Sequence, residues 1–76
     1  MFPSLKARKM LAVLCREPLN YEVVRQSGSH RTLRSEAGYP ELRFSFHDRA
    51  TLAPGVVRKI LTKDVGLGQD EALRLL

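Results

Sequence analysis

The sequence predicts an α+β fold of order α-β-β-β-α, a three-stranded antiparallel sheet with helices packed on one face. Two stretches, one near the start and one beyond residue 54, space their apolar residues at helical intervals. Between them the apolar period falls to two, and Gly- and Pro-bearing segments punctuate this region at strand-length intervals. With 76 residues the chain is expected to form one domain, 1–76, whose small core leaves no room for a large enclosed substrate cavity.

The first helix is expected over Leu5 to Arg16, with Ser4 as N-cap after Pro3. Ala7, Met10, Leu11 and Leu14 form its packing stripe, and Lys6, Arg8, Lys9 and Arg16 lie elsewhere around the axis. Cys15 reads as a packing residue of the same helix. Pro18 forbids continuation, and Leu19-Asn20 reads as a turn.

Strand one is expected over Tyr21 to Gln26, strand two over about His30 to Ser35, and strand three over Glu41 to His47. Gly28 frees the chain to take positive φ at the first reversal, and Ser29 suits the same turn. Gly38 and Pro40 mark the second reversal. If Leu33 and Phe44 both face the core, odd positions of strand two must oppose even positions of strand three. A reversal centred on Gly38 and Tyr39 then sets Arg34 opposite Arg43, Thr32 opposite Ser45 and His30 opposite His47, placing both histidines at one corner. The expected sheet core is Val23, Leu33, Leu42, Phe44 and Phe46, with Val24 on the open face.

Asp48 to Ala53 reads as a connecting loop. Pro54 opens a second helix whose stripe is Val56, Val57, Ile60 and Leu61, with Arg58, Lys59 and Lys63 outward and Gly66 at its end. Gln69 to Leu76 is expected to add a short helix, where Leu73, Leu75 and Leu76 fold back or dock a partner.

The charge is the outlier of the composition. Thirteen Lys and Arg against eight Asp and Glu give +5 and a pI near 10.0. Nine of the thirteen are arginine, the side chain that forks onto phosphate oxygens. This favours a polyanionic partner such as nucleic acid. A single cysteine excludes an internal disulfide and a multi-cysteine zinc site, and fits a reducing cytoplasm. No apolar run approaches the length of a membrane span, so no membrane partner is expected.

The residue types that can do chemistry gather at the first reversal. His30 follows Gly28-Ser29 at a strand tip, and Arg25, Arg31, Arg34 and Arg43 lie on the neighbouring strands. Arginine opposite arginine is repulsive unless an anion sits between them, which suggests a phosphate track that Arg58 and Lys59 extend. A histidine at a turn is also a plain capping residue, and surface arginines are ordinarily solvated. Two histidines without a nearby carboxylate or cysteine make an incomplete metal site, so neither metal nor other cofactor is expected. Ser29 lacks an apparent His-Asp relay and reads as a turn residue.

Arg25-Gln26-Ser27-Gly28-Ser29-His30, then Phe44-Ser45-Phe46-His47, then Leu52-Ala53-Pro54-Gly55-Val56-Val57-Arg58-Lys59-Ile60-Leu61 together resemble the HicA family of bacterial toxins. The resemblance runs from the first helix to Gly66-Leu67. It implies a fold similar to double-stranded-RNA-binding domains, metal-independent RNA cleavage that arrests translation, and a HicB-type antitoxin that covers the site. The family's catalytic histidine falls on His30. The family often carries proline where this chain has Ser45, which loosens the transfer of a role to His47. On this reading His30, with His47 as a second proton-transfer group, cleaves RNA bound by Gly28, Ser29, Arg25, Arg31, Arg34, Arg43, Arg58 and Lys59. A non-catalytic RNA-binding module is the alternative, and a protein-interaction domain with an incidental basic face is a third.

Overall fold

The computed structural model describes residues 1–76. In chain order it contains β1 (Leu5–Lys6), α1 (Ala7–Cys15), β2 (Tyr21–Ser27), β3 (His30–Ser35), β4 (Leu42–Phe44), β5 (Thr51–Leu52), α2 (Pro54–Lys59), one π-helical turn (Ile60–Asp64) and α3 (Gln69–Arg74). The expected helix, antiparallel meander β2-β3-β4 and second helix are all present. A two-stranded ribbon, β1 with β5, is added to them.

That ribbon corrects the expected start of the first helix. Leu5 pairs with Leu52 and Lys6 with Thr51, so the helix begins at Ala7 and Ser4 does not cap it. The exposed N–H groups of the first turn are met instead by main-chain carbonyls. The Ala7 N–H donates to Ala50 O at 2.8 Å and the Arg8 N–H to Asp48 O at 3.1 Å. A tertiary strap therefore does what a capping side chain does elsewhere. Its counterpart, Thr51–Leu52, lies within the segment expected to be only loop.

Sixteen residues form one continuous core in which Ala7, Met10 and Leu14 of α1, Leu33 of β3, Leu42 and Phe44 of β4, and Val57, Ile60 and Leu61 meet. The alternation deduced for the sheet holds in parity: Leu33, Leu42 and Phe44 are all buried. The register does not hold. Leu33 faces Leu42, Thr32 faces Arg43 and Arg31 faces Phe44, two residues from the expected pairing. Parity survives a two-residue slip because side chains alternate with period two, so hydrophobic pattern alone could not choose between the two registers. Gly38 does take positive φ, at 92°, but the reversal is centred one position earlier. Strand three is also shorter than expected, ending at Phe44.

Val23 is 40% exposed rather than buried. The β2–β3 register shifts between Val23 and Arg25, a bulge at Val24, and β2 is an outer strand of the sheet. Leu19, read from sequence as a turn residue, is instead fully buried. Its carbonyl accepts from the Ser35 hydroxyl, which in turn accepts from the Ala37 N–H at 3.0 Å, so the one buried polar side chain is satisfied. Cys15 is exposed, not a packing residue.

The second helix starts at Pro54 as expected and passes at Ile60 into a wider π turn, closed by the Val65 N–H donating to Ile60 O at 2.9 Å. Gly66, with φ of 93°, ends it. In α3, the Glu71 carboxylate accepts from the Gly68 N–H at 3.3 Å, and Ala72 is the residue that reaches the core. No helix is long and apolar enough to cross a membrane.

Candidate nucleic-acid interface and catalytic corner

The β2–β3 reversal is a two-residue hairpin in which Ser27 pairs with His30. Gly28 has φ of 61°, and Ser29 stays at negative φ, the pattern of a II′ turn with glycine at its first central position. A Cβ on Gly28 would meet nothing within 4 Å, so glycine is required there by conformation and not by space. Gln26 Nε2 donates to Gly28 O at 3.0 Å and ties the turn from within. His30 is thus held, exposed, at the first position of β3.

Alternation along β3 places His30, Thr32 and Arg34 on the face away from the core, and Arg31, Leu33 and Ser35 on the core side. His30, Thr32, Arg43 and Ser45 border an open hollow of about 150 Å³. Continuing the observed register sets His30 opposite Ser45, not His47. A second hollow on the same face, about 320 Å³, is bordered by Arg25, Thr32, Arg34, Arg43, Val24 and Glu41. Arg25, Arg34 and Arg43 are exposed and form no ion pair, since the two salt bridges of the molecule are Arg31–Asp48 and Lys59–Asp64. The expected opposition of Arg34 and Arg43 is replaced by Thr32 opposite Arg43, and the continued register brings Glu41 opposite Arg34. The three guanidinium groups still share one face.

Arg31 is placed differently from the other arginines. Its side chain turns to the core side and is only 12% exposed; Nη2 donates to Asp48 Oδ1 at 2.8 Å and Nη1 to Phe46 O at 3.4 Å. It anchors the segment after β4. His47 belongs to that segment and, with Gly28, Ser29, Arg31, Asp48 and Arg49, borders a third, shallow hollow of about 510 Å³. The two histidines therefore border separate hollows, on either side of Arg31. Lys59 sits on the helical side of the molecule, paired at 3.3 Å with Asp64, and Arg58 is exposed on the same helix.

No group of three or more His, Cys, Asp and Glu side chains is arranged to hold a metal ion. Thr32 and Ser45 stand on the open face with His30, where the alternation in sequence puts them; the neighbour not expected from sequence is Asp48. The signal for Asp48 was present, a lone carboxylate beside His47 in an otherwise basic segment, but its partner follows only from the fold.

Neither curated proteins nor solved structures yield a match. A family model described as the HicA toxin of bacterial toxin-antitoxin systems matches residues 7–67, most of the chain, from the first residue of α1 to the residue after Gly66. That span holds the II′ turn, His30, His47 and the basic sheet face in one continuous match, and on it the chain belongs to the HicA family of bacterial toxins.

Proposed function

We propose that this toxin is a metal-independent endoribonuclease that cleaves messenger RNA and arrests translation, with His30 as the general acid or base. The observation that carries the reading is the placement of an exposed imidazole, on a tight turn, beside a sheet face whose Arg25, Arg34 and Arg43 outnumber the Glu22 and Glu41 that flank Arg34, and form no ion pair. Phosphates of an RNA strand supply that missing charge, and Thr32 and Ser45, in the same hollow as His30, offer hydroxyl donors to phosphate oxygens. The imidazole has one ring nitrogen that accepts a proton and, once protonated, donors at both, so it can serve either transfer.

In this mechanism the ribose 2′-OH loses its proton to His30 and attacks the adjacent phosphorus, expelling the 5′-oxygen of the next nucleotide. The leaving oxygen takes a proton from a second group, and the product end is a cyclic phosphate. Because the nucleophile is the substrate's own 2′-OH, RNA is cut and DNA is spared. Proton transfer by one positioned side chain contributes ~10²- to 10⁴-fold to rate. His47, which borders the neighbouring hollow with the turn residues Gly28 and Ser29, is the candidate for this second proton-transfer group. Arg43, in the hollow with His30, faces the charge that builds on the phosphate oxygens.

The deciding experiment compares the wild-type chain with His30→Ala in EDTA on purified RNA, with folding checked by circular dichroism. The expected result is a folded variant that binds RNA but cleaves it at least ~10²-fold more slowly. Equal cleavage by both would remove His30 from the mechanism. Binding without cleavage by either would leave an RNA-binding module. For His47 the measurement is the pH–rate profile, which should be bell-shaped and lose one limb in His47→Ala.

A further inference from the structure

The meander β2-β3-β4 has two outer strands, and they are not equivalent. The bulge at Val24 breaks the register of β2, and bulges blunt an edge against further pairing. The register of β4 on β3 is regular through Leu42, Arg43 and Phe44, and no strand lies on its other side. That free side opens onto a groove of about 280 Å³ between the strand and the second helix. Phe44, Phe46, Val56 and Ile60 give the groove its apolar lining. Phe44 and Phe46 meet edge to face with centroids 5.3 Å apart. Lys59 and Asp64 also border it, but they neutralise each other.

We propose that β4 is the docking strand for the cognate antitoxin, which adds an extended segment of its own beside Leu42–Phe46 and fills this groove. Strand addition dictates the chemistry of that segment. Its side chains alternate as those of β4 do, so one set faces the groove and the other faces the basic sheet surface. The first set must be apolar, to cover Phe46 and Val56. The second must be acidic, since the neighbour across the new pair is Arg43, which has no carboxylate of its own. Three residues of β4 offer too few main-chain bonds to hold a partner alone, so the groove supplies the rest of the affinity. Arg43, Phe44 and Ser45 border both this groove and the His30 hollow, so a strand laid here also obstructs the corner. That last consequence rests on the reading of His30 given above; the docking itself rests on the edge, the groove and the family's possession of an antitoxin partner.

The test uses the full chain with His30→Ala, alone and in complex with the cognate antitoxin, and maps amide hydrogen exchange. Residues 42–46 are expected to gain at least about tenfold protection on complex formation, with β2 unchanged. A second arm titrates the antitoxin against Val56→Glu by calorimetry. A loss of at least about tenfold in affinity is expected, because a carboxylate then stands in the apolar groove and opposes an acidic strand. RNA cleavage by the free Val56→Glu toxin, with His30 intact, is expected to be unchanged. Unchanged exchange at 42–46 in the complex, or protection of 42–46 in the toxin alone through pairing of two copies, overturns the proposal. So does a folded Val56→Glu chain that binds the antitoxin as tightly as before. If Val56→Glu does not fold, the exchange map decides by itself. Failure of the free toxin to cut RNA would count against the nuclease reading and leave the exchange result standing.

Discussion

The guanidinium of Arg31 and the carboxylate of Asp48 meet at 2.8 Å, with the arginine side chain 12% exposed and the aspartate 52%. Around this pair the segment carrying His47 is fastened to the rest of the fold. Asp48 O and Ala50 O accept from the first turn of α1, Lys6 Nζ donates to Arg49 O at 3.3 Å, and Phe46 O accepts from Arg31. Because one partner is nearly buried and the other half in water, removing them should have unequal effects. Asp48→Ala strands a desolvated cation and is expected to cost roughly 2 kcal/mol. Arg31→Met leaves a carboxylate that water can serve and keeps most of the packing volume, costing about 1 kcal/mol. Urea unfolding of the two variants checks the order, and the reverse order would mean that the pair is held by packing and not by charge.

Core and edge of the sheet should also separate in stability. Leu33 is fully buried at the centre of the sheet, so Leu33→Ala is expected to cost roughly 2–5 kcal/mol, enough to unfold much of so small a domain. Val23, opposite it on β2, stands beside the bulge and is 40% exposed. Val23→Ala should cost under about 1 kcal/mol. Thermal unfolding of both variants measures the difference; a cost at Val23 like that at Leu33 would place Val23 in the core after all.

The pattern of residues made β3 legible to its ends, His30 and Ser35, because Gly28 and the Glu36–Pro40 segment bracket a run with clear alternation. It made Leu33, Leu42 and Phe44 legible as core for the same reason. What it left open was every quantity that depends on two segments meeting. The two-residue slip between β3 and β4 preserves all inward and outward assignments, so nothing within either strand distinguishes it. The Leu5–Lys6 strand looks like a helix start because Pro3-Ser4 carries a capping pattern, and only the distant Thr51–Leu52 overrides it. At the corner, Gly28, Ser29 and His30 were readable from local turn chemistry. That Arg31 shares the core side with Leu33 follows from the same alternation, but its partner was not readable, since Asp48 lies 17 residues on.

Burial, first, and the charges of Tyr39 and Asp64, next, push the Tyr21 phenol up to about 12 from 10.0. Its hydroxyl donates to Pro40 O at 2.6 Å and so clips the start of β2 to the segment before β4. The sign follows from linkage. The folded state holds the phenol proton more tightly than the unfolded chain, so this contribution is complete below about pH 10 and is lost as pH rises towards about 12. Other groups titrate in the same window, so the wild type must be compared with Tyr21→Phe. The urea midpoint of the wild type should fall more steeply between pH 10 and 12 than that of the variant. Parallel curves would show that the phenol is free to ionise in the folded state.

The arginines of the basic face and the arginine of the ion pair should differ in how they respond to salt when RNA is bound. Arg25, Arg34 and Arg43 are exposed and without a carboxylate partner, so each that meets a phosphate releases condensed counterions. Its removal should then lower the slope of log K against log salt by about 0.7 for a single strand. Replacing all three by glutamine should flatten the dependence by about 2. Arg31 already has its anion in Asp48, and Arg31→Met should leave the slope unchanged even where stability falls. The measurement is fluorescence anisotropy of a labelled RNA titrated at several salt concentrations, using His30→Ala versions of each variant so that the probe stays intact. A slope that falls with Arg31→Met but not with Arg34→Gln would mean that RNA approaches from the side of the His47 hollow, and the open face of the sheet would then have to be given up as the binding surface.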